Sequence, residues 1–211
     1  MTFAPDYATA RERFRAAARA RGWTCEAHPV AGAGPRGEPL TVDVAISPSS
    51  HEPTGDAVVV SSGLHGVEGL FGSAVQIAAL ESVDDWLDGT RGVFVHALNP
   101  HGFAWSRRCD VDNVDLNRAF RWPGMPEPDD DRDYARLDAL LNPSRPPSFD
   151  LFPLRLRLAA LRLGRAALSR TIASGQRSFP KGLFYAGETT TATQTVLDAH
   201  LKEWLGGAST I

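Results

Sequence analysis

The order of apolar and polar positions divides the chain into helix-like and strand-like stretches. Tyr7 to Arg21 mixes Ala and Arg with few large apolar side chains, Phe14 among them, and Gly22 follows as a stop, which predicts an amphipathic helix. Trp23 to Val30 and Leu40 to Ile46 partly alternate apolar with polar residues around the turn-rich AGAGPRGEP, which predicts a hairpin or neighbouring strands. Ala57 to Val60 is a continuous β-branched run, as expected of a strand covered on both faces, and Gly69 to Ser82 reads as a helix. A second buried strand, Gly92 to Leu98, runs into NPHG, read as a turn. Strand, helix and strand in that order make a βαβ unit.

Further along, Trp122 to Asp133 reads as a loop whose acidic DDDRD run is a solvated surface segment with no assigned chemistry. Leu151 to Ala173 carries Leu and Ala on one side and Arg on another, which predicts one long surface helix after Pro153. A membrane-surface role is the lesser reading of that pattern. Gly182 to Tyr185 suits a short strand, and Thr193 to Leu205 an amphipathic helix ended by Gly206 and Gly207. The expected fold is α/β, a mixed and mostly parallel central sheet with flanking helices in a single domain over residues 1–211.

Bulk properties narrow the function classes. A chain of 211 residues with 43% apolar and 22% charged residues is ordinary for a globular domain. Its net charge of -3, with both signs mixed along the chain, offers no basic face for a phosphate backbone, so no nucleic acid partner is expected. MTFAPDYATARERF lacks an apolar leader segment, and no uncharged run approaches bilayer length, so no membrane partner and a cytoplasmic location are expected. Cys25 and Cys109 stand far apart without metal-ligand spacing and read as two thiols. The sequence gives no indication of oligomeric state.

Candidate chemistry concentrates in two places. In SSGLHGVEG, Ser61 to Gly69, a buried strand opens into a glycine-rich turn carrying His65 and Glu68. Ligands of open α/β sheets bind outside the carboxyl ends of the strands, and a spacing of three puts an imidazole and a carboxylate on one side of a helical turn, within reach of one metal ion. Spacing alone is more often that of a His/Glu surface pair beside a turn. In RRCDVDNVDLNRAF, Arg107 to Phe120, a loop after the next strand gathers Arg, Asn and Asp. One guanidinium can grip a carboxylate with two prongs, and a second can steady the oxyanion formed when water attacks an amide; an internally paired polar loop is the alternative. GAGPRG satisfies GxGxxG, but Pro35 interrupts it and a strand follows, so it is a turn. Ser73 lies outside any GxSxG, and the sequence around Cys109 points to no base that would activate its thiol.

Five collinear blocks, GPRGEPLTVDVA, SGLHGVEGLFGSAVQ, HALNPHGFAWSRR, NVDLNRAF and GQRSFPKGLFYAG, resemble a zinc carboxypeptidase-like group of uncharacterised proteins, related to metallocarboxypeptidases and to the aspartoacylase and succinylglutamate desuccinylase deacylases. The resemblance spans nearly the whole chain. It implies a zinc carboxypeptidase-like fold, with His65 and Glu68 as zinc ligands, Arg108 as the oxyanion stabiliser, and Asn117 and Arg118 as the grip on the substrate carboxylate. Arg108 is preferred to Arg107 because it stands nine positions before Asn117, as in R-x-N-x-x-G-V-D-L-N-R. Asp115 matches the residue that orients the first histidine.

Ala119 departs from the NRNF form of that block. The implied substrate is a small peptide or N-acyl amino acid with a free carboxylate. Relatives continue into a strand with a third ligand in a DxHTG-like context and then a glutamate base. The chain is therefore expected to be the N-terminal portion of the domain, lacking its third zinc ligand and inactive by itself. His200, in VLDAHLKEWL, is the obvious substitute, but in such a helical pattern a histidine is more often a surface or boundary residue than a ligand. The competing reading is a catalytically inactive carboxylate-binding protein.

Overall fold

The computed structural model describes residues 3–48, 56–85, 87, 90–121, 131–145, 149 and 151–206. Two compact units are present. The first, residues 1–111 and 190–211, holds helices α1 (Tyr7–Ala20), α2 (Gly69–Glu81), α3 (Pro100–Trp105) and α8 (Ala192–Trp204) with strands β1 (Thr24–Ala33), β2 (Pro39–Ile46), β3 (Ala57–Ser61) and β4 (Arg91–His96). The second, residues 112–189, holds α4 (Leu116–Ala119), α5 (Arg132–Leu141), α6 (Phe152–Leu163) and α7 (Arg165–Ala173).

The sheet of the first unit is mixed, in the order β1-β2-β4-β3. Its parallel part is the βαβ unit, in which Val59 stands opposite Val93. The hairpin strand β2 lies antiparallel between β4 and β1, so two of the three pairings are antiparallel, a larger share than the sequence implied. Period-two alternation assigns the faces. Val42, Val44 and Ile46 of β2 and Val93 and Val95 of β4 pack with Trp204 and Leu205 on the α8 side. Ala45 and Phe94 turn the other way, onto Phe14 and Ala18 of α1 and Leu80 of α2. Helix therefore covers both sheet faces.

On the α1 face the strands also bury charge. Asp43 is 1% exposed and accepts from Arg11 Nε at 2.9 Å, Arg15 Nε at 2.9 Å and Thr41 Oγ1 at 3.0 Å. Burial pushes its carboxyl above the usual value, and the two arginines pull against that shift. Beside it across the strands, His96 is fully buried, stacked on Phe14 at 4.6 Å and 2.9 Å from Ser73 Oγ.

Several elements differ from the sequence reading for local reasons. NPHG starts α3 and is not a turn: the Asn99 side chain caps the helix by accepting from Gly102 N at 2.8 Å, and Pro100 needs no donor at the first position. The single helix expected over 151–173 is two, broken at Gly164, whose φ of 82° no helical residue adopts. Gly182 to Tyr185 supplies only an isolated bridge between Tyr185 and Gln176. Of the expected loop over 122–133, residues 122–130 lie outside those described, and α5 begins at Arg132. Asp131 is not simply solvated, since its Oδ2 accepts from Arg177 N at 2.9 Å and Ser178 N at 2.8 Å. GAGPRG forms the expected turn, with Gly37 N donating to Gly34 O at 2.9 Å. Neither cysteine is in a disulfide. Among the described residues no helix is long and apolar enough to cross a membrane.

Candidate metal and carboxylate site

The parallel ladder continues past the ends of β3 and β4 and fixes the turn that carries His65. Ser62 N donates to Val95 O at 3.1 Å, Leu98 N to Ser62 O at 2.9 Å, and Asn99 N to Gly63 O at 2.9 Å. Above these bonds sits Gln76 of α2, 1% exposed, whose Nε2 donates to Val60 O at 2.8 Å and Val95 O at 3.0 Å while its Oε1 accepts from Ser62 Oγ at 2.8 Å. A single amide thus ties α2 to both parallel strands. The chain then makes one 3-10 turn, Gly66–Glu68, and enters α2. Its glycines are dictated by α3: a β-carbon on Gly66 would lie 1.7 Å from Gly102 C, and one on Gly69 would lie 2.5 Å from the Phe103 ring.

On this turn His65 Nδ1 lies 3.6 Å from Glu68 Oε1, with side-chain exposures of 9% and 67%. Two donors on a tetrahedral zinc, each about 2.0 to 2.1 Å from the metal, stand roughly 3.4 Å apart. The spacing therefore fits two corners of a zinc shell. Among the described residues no three His, Cys, Asp or Glu converge on one point. His200 packs instead on Trp204 and on His28, whose ring is 4.4 Å away, and His101 lies on α3 beside Trp105.

Arg108 follows α3, which ends at Ser106 in the left-handed region with φ of 52°. Asn99 Nδ2 donates to Arg108 O at 3.1 Å. Asn99 therefore joins the Arg108 main chain to Gly63 two hydrogen bonds away, and Arg108 itself is half-buried. Its link through Asn99 was not anticipated, although Asn-Pro before an apolar turn is a helix-start signal.

Asp115, Asn117 and Arg118 belong to the second unit. Asp115 is fully buried and caps α4, its Oδ1 accepting from Asn117 N at 3.0 Å while its own N–H donates to Tyr185 O at 2.8 Å. Asn117 is exposed. The Arg118 guanidinium lies 5.4 Å over the Phe184 ring and its Nη1 donates to Asn117 O at 3.1 Å. Its Nε is buried without a hydrogen-bond partner among the described residues. A buried donor left over in this way suits a ligand acceptor. Gly175, with φ of 84°, is needed here, because a β-carbon on it would meet Arg118 Cδ at 2.9 Å. Phe184 and Gly175 lie in the GQRSFPKGLFYAG block, but nothing in its residue types gave either a role.

No curated protein matches the chain. Among solved structures, thrombin activatable fibrinolysis inhibitor is 13% identical over 56% of this chain and 34% of its own, with a TM-score of 0.42. A structure assigned as carboxypeptidase A from Shewanella denitrificans is 16% identical over 56% and 32%, with a TM-score of 0.40. Glutaminyl cyclase from Macrostomum lignano is 14% identical over 58% and 40%, with a TM-score of 0.32. The match spans two fifths or less of the length of each of these proteins. The family described as "Protein of unknown function (DUF2817)" matches residues 3–211, and the chain belongs to that family.

Proposed function

We propose that the chain carries the front part of a zinc-dependent hydrolase site that cleaves an amide bond next to a free carboxylate, as in carboxypeptidases and N-acyl amino acid deacylases. The observation that carries this reading is the 3.6 Å separation of His65 Nδ1 and Glu68 Oε1 on a turn pinned to the carboxyl ends of two parallel strands. In it, His65 and Glu68 hold the metal, and Asp115 orients His65. Zinc, when bound, lowers the pKa of water and polarises a carbonyl. Arg108 offers its guanidinium to the oxygen that gains charge during attack. Asn117 and Arg118 hold the substrate carboxylate, and the unpaired Nε of Arg118 supplies a donor for it.

A second reading is a carboxylate-binding protein without turnover, in line with the lack, among the described residues, of a third donor beside His65 and Glu68. Two protein ligands leave a metal with most of its waters, and affinity no tighter than about micromolar is expected. Zinc titration by calorimetry, run alongside hydrolysis of N-acyl amino acids and short peptides, separates the readings. Zinc-dependent turnover supports the hydrolase. Binding of an N-acyl amino acid without turnover supports the second reading, and absence of both zinc and carboxylate binding removes the site altogether.

A further inference from the structure

In the second unit, α6 has no buried residue along its twelve positions. Leu154, Leu158 and Leu161, at i, i+4 and i+7, share one face and are 54%, 46% and 82% exposed. Arg155 and Arg162, seven apart, flank that stripe on one side, and Arg157 flanks it on the other. Phe152, the first residue of the helix, and Phe149, 80% exposed and just before it, are further exposed apolar side chains at that end. Between α6 and α5 runs an open groove of about 380 Å³, with Leu137 and Leu158 inside it and Arg136, Arg155 and Arg162 along it. From Phe152 to Ala173 the sequence has five arginines and no acidic residue. The nearest acids on α5 are engaged locally: Asp133 with Arg136 at 2.8 Å, and Asp138 with Asn142 Nδ2 at 2.7 Å.

From this arrangement we propose that α6 and α7 form a docking surface for an anionic lipid bilayer. An exposed leucine stripe between arginines on both flanks can press its apolar groups into the headgroup boundary while the long arginine stems carry their charges to lipid phosphates. Charge complementarity selects this occupant. A second copy of the same surface would set five arginines against five, and like charges repel. An acidic helix laid in the groove would neutralise Arg136, Arg155 and Arg162 but leave Leu154, Leu161 and Phe149 in water, because those residues lie outside the groove. A plane of negative charge meets all of them together. The sequence pattern left this role as the lesser one; the absence of any buried position on α6 raises it.

The surface is independent of the proposed metal site, so its test needs no activity. The full chain, with chelator present, is floated with vesicles of phosphatidylcholine alone and of phosphatidylcholine mixed with phosphatidylglycerol. Flotation with the anionic vesicles only, reversed by raising the salt, is expected. Leu154→Ser/Leu161→Ser and Arg155→Gln/Arg162→Gln should each lower vesicle affinity by about tenfold or more. Their circular dichroism melts should match that of the parent, since none of the four side chains is buried. Salt reversal on the unaltered chain stands even if a variant folds poorly. The proposal is overturned by no flotation at low salt, by equal flotation with both vesicle types, by well-folded variants that float like the parent, or by a parent dimer that the leucine variant splits.

Discussion

Gly66 lies so close to Gly102 that a β-carbon on it would stand 1.7 Å from the Gly102 carbonyl carbon and 2.1 Å from its oxygen. The turn bearing His65 and Glu68 and the helix that precedes Arg108 therefore touch backbone to backbone. Gly66→Ala cannot be absorbed by rotating a side chain, because the obstructing atoms are main chain. The expected cost is about 1 to 3 kcal/mol in urea denaturation, with weaker zinc binding as His65 is displaced. Parent-like stability and zinc affinity would show that this packing does not set the turn.

His65 and Glu68 should separate in their effects on folding. Glu68 lies outside the packed interior, with 67% of its side chain exposed, whereas the His65 side chain is only 9% exposed. Glu68→Gln should change stability by less than about 0.5 kcal/mol, and His65→Ala should cost about 1 to 3 kcal/mol. Each should weaken zinc binding in calorimetry. Undiminished zinc affinity in both variants would count against the proposed ligand pair.

Burial lowers the pKa of His96 from 6.5 to about 3, and Arg11 and Arg15 push in the same direction. The unfolded chain takes up a proton near pH 6.5 that the folded chain refuses until about pH 3. The stability His96 contributes is therefore fully present above pH 6.5 and is lost as pH falls through that window, by up to about 1.4 kcal/mol per pH unit. Asp43 opposes it at the acid end, since a carboxyl raised by burial favours the folded state when protonated. Urea titrations at several pH values should show a shallower slope in His96→Gln than in the parent. An unchanged slope would mean that His96 is not the group being titrated.

Arg118→Lys keeps the charge but removes the planar fork and the Nε donor. Binding of an N-acyl amino acid, measured by calorimetry, should weaken by about tenfold while the melting temperature stays close to that of the parent. Equal affinity would place the carboxylate grip elsewhere.

Asp131 tests the internal order of the second unit. Its Oδ2 receives two backbone donors, from Arg177 and Ser178, and Asp131→Ala would leave both without that acceptor. A loss of about 1 to 3 kcal/mol is expected, together with faster amide exchange at 177 and 178. Unchanged exchange at those two amides would show that the carboxylate does not hold the segment.

Much of the first unit could be read from residues because each signal was local. AVVV and GVFVHAL are apolar runs bounded by glycine, and the span between them is long enough only for a helix. Sheet order was not legible, because placing β2 between β4 and β1 depends on which edges bury the most apolar surface and not on any one segment. Gln76 escaped notice for a similar reason: a polar residue in a helix looks solvent-facing until the strand ends it serves are known. In the candidate site, His65 and Glu68 stood out by spacing, and Arg108, Asn117 and Arg118 by resemblance. Asn99, Phe184 and Gly175 act through main-chain bonds, ring faces and empty space, which residue type alone does not reveal.

The three hydrogen bonds of Gln76 have a consequence for any ligand that reaches Glu68. Glu68 is the last residue of the 3-10 turn that leads into α2, and Gln76, about two helical turns further on, is bonded to both parallel strands. Swinging Glu68 toward a ligand by tilting α2 would break those bonds inside a region closed to water. The carboxylate is thus presented from a stiff lever, and only its own side-chain torsions remain to be fixed when something binds. Association at this turn should therefore show little loss of backbone freedom, with most of the ordering already completed when the polypeptide folded.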